Sequence, residues 1–216
     1  MGHKVNPVSF RLAIKGSLVD WQSQWFAGSK DYKKFLVEDW EVRRFLDKKL
    51  EQAGLVSVRI ERLRNEMRIT LQVSRPGMVI GRGGKGLEDL KRELLAVVDV
   101  KKYGKNLDID VEEVKNAALS AKLVAKRISY QLVKRMPYRR AVNKAMEETM
   151  SAGAVGIKVI LGGRINGAEI SRREKFAKGK VSLSSLRSFV DYADEPSLTR
   201  SGYIGVKVYI NRGELS

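Results

Sequence analysis

The stretch Val79-Ile80-Gly81-Arg82-Gly83-Gly84-Lys85-Gly86 is the most informative part of this chain. It lies between a predicted strand, residues 67–73, and a predicted amphipathic helix, residues 87–98. Four glycines within six residues allow a backbone to approach another molecule closely. Arg82 and Lys85 indicate that this molecule is anionic, and the following helix offers unpaired N–H groups and the positive end of its dipole. The stretch therefore predicts a loop that binds phosphate.

The residues before the loop predict a helix and an arm that precedes it. Apolar residues spaced by four predict a first helix over residues 40–53, with Asp39 as its N-cap and Gly54 after its end. Residues 1–37 are interpreted as an irregular N-terminal arm. Its aromatic rings either pack on the domain or stack on RNA bases, and the sequence leaves both interpretations open.

Three segments alternate apolar and polar residues with a period of two, which predicts half-buried strands. A short helical turn over residues 78–80 is predicted before the glycine loop. With helices on both sides of the loop, the pattern predicts an α+β layer in which helices cover one face of a three-stranded sheet. The three predicted strands are residues 56–61, 67–73 and 107–111.

The chain changes character near residue 114. Residues 114–146 hold nine basic residues and no acidic one, whereas solvated helices ordinarily mix both signs. Two helices separated by Pro137 are predicted there, and a small sheet follows that includes a basic extended ribbon within residues 165–180. We therefore expect an N-terminal arm, a first α+β domain, and a second α+β domain with two helices on a small sheet. Their predicted bounds are 1–37, 38–113 and 114–216.

Composition narrows the classes of function. The net charge of +17 opposes compactness unless a polyanion neutralises it, so nucleic acid is the leading partner, ahead of an anionic membrane. The chain has no cysteine and only one histidine, His3, which excludes thiol chemistry and leaves no histidine cluster. No run of about 18 apolar residues occurs, so we expect no membrane span and a cytoplasmic protein. We expect no enzyme activity, no cofactor and no metal.

The glycine loop has two chemical interpretations. Gly81, Gly83 and Gly86 satisfy G-x-G-x-x-G, the dinucleotide fingerprint, but that pattern needs a strand leading directly into it and a parallel βαβ unit. Here Arg-Pro-Gly at residues 75–77 interrupts the strand, and a hairpin precedes it. The other interpretation takes residues 81–84 as a G-x-x-G loop that clamps the backbone of about four nucleotides of single-stranded nucleic acid. A loop that only turns a corner is the structural alternative.

The V-I-G-x-x-G context, between two helices of a three-stranded domain, resembles a K-homology (KH) domain of the type II order. Further stretches occur with the loop in a fixed order along the chain: Met-Gly-His-Lys-Val-Asn-Pro at 1–7, Phe-Arg-Leu at 10–12, Tyr-Arg-Arg-Ala at 138–141, and Gly-Arg-Ile-Asn-Gly-Ala-Glu-Ile at 163–170. Together they resemble the bacterial-type family of the third protein of the small ribosomal subunit. The resemblance covers essentially the whole chain.

The resemblance implies a non-enzymatic structural component of the small-subunit head that binds ribosomal RNA. It implies contact with mRNA at the site where mRNA enters the ribosome, beside other ribosomal proteins, and a part in opening mRNA structure during translation. The arginine pair of the family's basic helix maps onto Arg139 and Arg140, whereas a further basic position falls on Asn143. Gly83 stands where a second basic residue is common, so we expect a less firm hold on the RNA backbone. The alternative is a free-standing KH-type RNA-binding regulator or RNA-processing factor.

The residues expected to contact RNA are the glycines and cations of the loop and the cations of the C-terminal half. Because their positive charges bind phosphate at any base sequence, we expect a salt-sensitive interaction. No catalytic residue or metal ligand is expected. The loop residues are Gly81, Arg82, Gly83, Gly84 and Lys85, and those of the C-terminal half are Lys122, Lys126, Arg139, Arg140, Lys144, Arg164, Arg172, Arg173, Lys175 and Lys178.

Overall fold

The computed structural model describes residues 4–12, 21–63, 66–97 and 107–214. The chain divides into two compact units. The first is Trp21–Lys115, and the second joins the N-terminal segment to Asn116–Ser216. Each unit is α+β, as the sequence predicts.

The first unit is built on a four-stranded sheet in the order β1-β2-β3-β4. β2 and β3 are antiparallel, whereas β1 pairs with β2 and β4 pairs with β3 in parallel. The strands are β1 Ser23–Gln24, β2 Leu55–Arg62, β3 Met67–Val73 and β4 Leu107–Glu113, and the helices are α1 Ser29–Lys49, α2 Pro76–Ile80 and α3 Lys85–Val97. The predicted strands are β2, β3 and β4, and β1 is a two-residue addition too short for any periodicity to reveal.

The core of the first unit lies between this sheet and its two long helices. Val42 and Leu46 of α1 and Leu94 of α3 are fully buried against Ile60 and Ile69 of the sheet. The apolar stripe that the sequence predicts for α1 is thus confirmed. The glycine loop joins α2 to α3 and is held by this core at its base, because Val79 of α2 is also buried in it.

The prediction that α1 begins after Asp39 is wrong, as is the prediction that residues 29–37 are irregular. α1 begins at Ser29 with Gly28 as its N-cap, and Asp39 lies inside the helix. Its carboxylate does not cap a helix, because it accepts hydrogen bonds from the buried Arg62 instead (Nε to Oδ1, 3.0 Å). Ser23 and Trp25 donate to the other carboxylate oxygen, at 2.9 and 2.8 Å.

The second unit places two helices on a four-stranded antiparallel sheet in the order β6-β5-β8-β7. The sequence prediction of two helices separated by Pro137 is confirmed, and Pro137 itself is the N-cap of the second helix. The predicted extended ribbon forms β6. The helices are α4 Ala121–Val133 and α5 Tyr138–Ser151, and the strands are β5 Gly156–Gly163, β6 Arg172–Gly179, β7 Ser188–Thr199 and β8 Gly202–Glu214.

Each face of this sheet carries its own apolar cluster. On the helix side, Ile128 of α4 and Val142 of α5 pack against Ile157, Leu161 and their neighbours in the strands. On the other side, a smaller cluster of Ile160, Val190 and Tyr209 is flanked by residues 181 and 183. Because side chains alternate between the two faces along each strand, the cationic side chains of this sheet lie on two different surfaces.

Arg11 fixes the N-terminal segment to the second unit. Its side chain is buried, and the pKa of the guanidinium is lowered by that burial. Among the described residues, the acceptors that it reaches are backbone carbonyl oxygens, so it acts there as a polar clamp and not as one half of an ion pair. The acceptors are the carbonyls of Pro7, Ser182, Leu183, Ser185 and Ser188.

Among the aromatic residues of the predicted arm, some pack within the protein and others are exposed. Trp25 packs on Tyr32 and Phe35, with ring centroids 5.2 and 5.5 Å away. Trp21 and Phe26, in contrast, are largely exposed. Packing therefore accounts for Trp25, whereas the exposed rings leave the stacking interpretation as a prediction.

Candidate nucleic-acid interface

The backbone of the glycine loop needs glycine at its base. Gly81 has φ 68° and ψ −177°, a conformation that is essentially restricted to glycine. A Cβ added to Gly81 would lie 3.0 Å from the nitrogen of Gly86, and one added to Gly86 would lie 2.7 Å from the carbonyl oxygen of Val79. These two glycines let α2 and α3 approach each other closely, so part of the glycine signal is structural.

The tip of the loop is open. Gly83 and Gly84 both have positive φ, yet a Cβ on either would meet nothing within 4 Å. Arg82 and Lys85 are exposed on either side of them. α3 begins at Lys85, whose own N–H donates to the carbonyl of Arg82, so the positive end of the helix dipole follows directly on the loop. A phosphate can therefore approach this backbone from outside, which is the property a G-x-x-G clamp requires.

The first turn of α5 presents a group of cations from a fixed position. Tyr138 anchors this turn, because its hydroxyl donates to Glu174 Oε1 of β6 at 3.1 Å and its ring lies 6.4 Å from that of Phe176. Arg139 donates from Nε to the Tyr138 hydroxyl at 3.2 Å. Arg140 and Lys144 are exposed one turn apart on the same helix. The predicted pair Arg139 and Arg140 thus projects from the positive end of the helix dipole.

The predicted cations of β6 do not share one surface. Side chains alternate along a strand, and Phe176 packs into the helix-side core. Arg172 and Lys178 therefore belong to the helix side, whereas Arg173 and Lys175 belong to the opposite side. These four residues are close together in sequence, but the alternation of side chains along the strand places them on opposite faces of the sheet.

Arg173 and Lys175 join a cationic cluster that was not predicted from the sequence. The pKa of Lys158 on β5 is lowered, first by its partial burial and then by the positive charges of Lys4, Lys175 and Arg173. These groups raise one another's affinity for an anion, since an anion relieves their mutual repulsion. The sequence does contain a signal for this cluster. Lys158 alternates with the buried Ile157 and Val159, so its side chain must point to the opposite face of the sheet.

The cations of α4 differ in their surroundings. Lys122 and Lys126 lie one turn apart and are half-buried. Arg127, which no prediction singles out, forms an ion pair with Glu148 of α5. Arg164 follows β5 and is exposed, with its Nε donating to the carbonyl of Ala168 at 2.9 Å.

Most of the predicted RNA-binding cations have no acidic partner among the residues that the structure describes. Within the described residues, an ion pair is formed by Arg172, at 3.9 Å from Glu174, but not by the nine cations named next. Charges left unpaired on a surface are available for an anionic partner. The nine are Arg82, Lys85, Arg139, Arg140, Lys144, Arg164, Arg173, Lys175 and Lys178.

The described residues contain no group of three or more histidine, cysteine or acidic side chains placed to hold a metal ion. Among the helices that the structure describes, none is long and apolar enough to cross a membrane.

Comparison with known proteins finds two families along this chain. A family profile described as "KH domain" matches residues 41–119, which include the glycine loop. A second profile, "Ribosomal protein S3, C-terminal domain", matches residues 128–210. The first match includes the glycine loop, and the second includes α5, Arg164 and β6.

Relatives that align with nearly the whole chain are named as proteins of the small ribosomal subunit. The chain is 46% identical over 214 residues to the small ribosomal subunit protein uS3 of Methylacidiphilum infernorum, covering 99% of this chain and 97% of the relative. It is 45% identical to the protein of that name from Hydrogenovibrio crunogenus, covering 99% and 90%. The uS3 of Lactobacillus delbrueckii subsp. bulgaricus is 46% identical, covering 100% and 92%.

Proposed function

Because the chain belongs to the uS3 family of small ribosomal subunit proteins, we propose that it binds ribosomal RNA in the small subunit and contributes to the surface where mRNA enters the ribosome. The family is structural and non-enzymatic. On this proposal the protein acts by holding RNA in place, beside neighbouring ribosomal proteins, in the cytoplasm.

The observation that carries the proposal is a set of exposed cations, without ion pairs in the described part of the chain, on a protein with a net charge of +17. Each lysine or arginine that neutralises a phosphate releases condensed counterions, so such a surface gains affinity for RNA without reading its sequence. The open tip of the glycine loop adds backbone N–H donors. The two features are complementary, since one supplies charge and the other supplies shape.

We assign RNA contact to the residues predicted from sequence, with the loop and the start of α5 as the principal elements. Arg139 and Arg140 lie at the start of a helix that Tyr138 anchors to β6, so their positions are fixed. Two guanidinium groups on the first turn of an anchored helix can grip the backbone of an incoming strand, while the ribosome supplies the motion that separates paired mRNA. Asn143, one turn after Arg139, supplies no charge to this grip.

The function is tested by fractionation. The full chain carrying an affinity tag is expressed in a bacterium, and the lysate is separated on a sucrose gradient at high magnesium. We expect the protein to sediment with small subunits at one copy per subunit and to remain bound after a wash at moderate salt. A free-standing regulator would stay at the top of the gradient, and that distribution would contradict the proposal.

The position at the mRNA is tested by crosslinking. Initiation complexes are assembled on an mRNA that carries photoreactive nucleotides downstream of the start codon. We expect crosslinks to peptides that contain Arg139 and Arg140. If the mRNA gives no crosslink to these peptides, the contact with mRNA is contradicted, whereas the binding of ribosomal RNA is not.

A further inference from the structure

A cavity of about 440 Å³ lies in the second unit between the end of α4, the residues after β5 and the turn that joins β7 to β8. Its size falls in the range of small-molecule sites, roughly 300–1,000 Å³. Its inner wall is apolar, formed by buried side chains that include Leu132, Leu161 and Ile204. The cavity is therefore shaped to receive a flat or apolar group of modest size.

The lining of this cavity contains three arginines and no carboxylate. Arg135, Arg164 and Arg200 are all exposed. In the part of the chain that the structure describes, no acidic side chain forms an ion pair with any of them. Tyr138, the residue that anchors α5, also lines the cavity. An apolar site surrounded by guanidinium groups suits a ligand with an apolar or aromatic body and anionic groups beside it.

Arg135 occupies a backbone position that normally belongs to glycine. α4 ends in a Schellman motif, in which the N–H of Met136 donates to the carbonyl of Gln131 at 3.1 Å and that of Arg135 to Leu132 at 3.0 Å. Arg135 therefore takes a left-handed φ of 60°. Such a conformation costs a non-glycine residue about 1 kcal/mol or more.

The end of α5 shows which residue normally occupies this left-handed position. α5 ends in the same motif, with Ala154 donating to Thr149 and Gly153 to Met150, and there glycine holds the left-handed position at φ 95°. Among the described residues, only Arg135 and Asn166 are non-glycine residues with positive φ, and both line the cavity. Strained backbone of this kind concentrates at binding sites.

We propose that this cavity takes up one unstacked base of the bound RNA, with the phosphates next to that base held by Arg135, Arg164 and Arg200. Proteins that bind single-stranded RNA insert splayed bases against aromatic and apolar side chains in this way. The inference rests on the proposed function and adds a specific site to it. On this account, Arg135 keeps its strained conformation because its charge is needed at the rim.

The position of the cavity favours RNA over an acidic segment of a protein. Tyr138 lines the cavity, and the next two residues are the exposed Arg139 and Arg140. The cationic surface thus continues beyond the cavity, which suits a polyanion that extends past a single site. An acidic peptide remains as an outcome of the test.

The test compares two labelled single-stranded RNAs of the same length, one intact and one whose bases are removed, and it measures their affinity for the full chain. Wild-type protein is expected to prefer the intact RNA. Ser201→Trp, which fills the cavity without removing a charge, is expected to reduce that preference roughly five- to hundredfold, the contribution of one stacked base. Arg187→Ala removes an exposed charge outside the cavity lining and serves as the control, with the preference unchanged.

The outcomes separate the site from the function. No binding of either RNA at low salt would contradict the proposed function itself. Binding with a preference that Ser201→Trp leaves intact would overturn the cavity proposal alone. Binding of a labelled acidic peptide that Ser201→Trp abolishes, with no effect on RNA, would also overturn it, because the occupant would then be protein.

Arg135→Gly supplies a second measurement. Glycine relieves the left-handed strain, so the melting temperature is expected to rise or stay unchanged, while the slope of log affinity against log salt becomes shallower by about 0.7, one phosphate contact. A protein that is stabilised and yet binds RNA less tightly supports the proposal. An unchanged slope would remove Arg135 from the site.

Discussion

The two units of this protein use charge in opposite ways. In the first unit, Arg62 is buried against Asp39 and Glu38, so its charge stabilises the fold and is not offered to an anion. In the second unit, Arg139, Arg140 and Lys144 are exposed on one helix without ion pairs to any residue the structure describes. The difference shows that a basic residue is available to an anionic partner only when its surroundings leave the charge unpaired.

The largest expected effect tests the structural use of charge in the first unit. Asp39→Ala removes the carboxylate that Arg62, Ser23 and Trp25 share, and leaves Arg62 buried without its main partner. We expect the free energy of unfolding to fall by about 3–5 kcal/mol. Urea denaturation of the full chain measures it.

The matched change in the second unit is Arg140→Ala. Arg140 is exposed and has no acidic partner among the described residues, so stability should change by no more than about 0.5 kcal/mol. If Asp39→Ala and Arg140→Ala lower the free energy of unfolding equally, the described difference between the two units is contradicted.

The next effect concerns the two roles of glycine in the loop. Gly81→Ala forces a side chain into a glycine-only conformation with Gly86 at 3.0 Å, and it should lower the free energy of unfolding by about 3 kcal/mol. Gly84→Ala faces open space and should lower it by about 1 kcal/mol, from its positive φ alone. If Gly84→Ala instead destabilises as much as Gly81→Ala, the tip of the loop is not open in the way described.

The smallest effect is a pH dependence of stability that comes from Tyr192 in the second unit. Burial, followed by the charge of Asp194, raises the pKa of Tyr192 from its ordinary value of 10 to about 12. The folded state therefore favours the neutral phenol, so its contribution to stability is complete below pH 10 and is lost as pH rises towards 12.

Tyr192→Phe should reduce the loss of stability between pH 10 and 12, as measured by urea midpoints across that range. Tyr130→Phe, at an exposed position on α4, is the control. A wild-type protein and a Tyr192→Phe variant that lose stability in parallel would show that this phenol does not titrate as described.

Sequence patterns predicted much of the fold because the relevant signals are local. Apolar stripes located α4 and α5, and alternation located β2 to β4, since burial of one face imposes a period on each element. The start of α1 was wrong for a non-local reason. Asp39 has the side chain of an N-cap, but its partner is Arg62, which is 23 residues away in sequence.

The candidate site could be predicted in its residue types but not in its grouping. The sequence reveals which segments are basic, whereas pairing with a carboxylate or a change of face depends on tertiary packing, as Arg127 and Arg173 show. Arg135 could not be distinguished from Lys134 by sequence, since its left-handed conformation appears only where the helix ends. The resemblance of the whole chain to the ribosomal family did not depend on these details.

The most direct measurement is the salt dependence of RNA binding. The slope of log affinity against log salt is determined for the wild type and for the double variant Arg139→Ala/Arg140→Ala, with Arg127→Ala/Arg212→Ala as the control, since both control arginines form ion pairs with carboxylates. We expect the first double variant to make the slope shallower by about 1.4, two contacts at about 0.7 each on single-stranded RNA, and the control to leave it unchanged. Equal slopes for all three proteins would contradict the claim that the unpaired cations of α5 hold RNA.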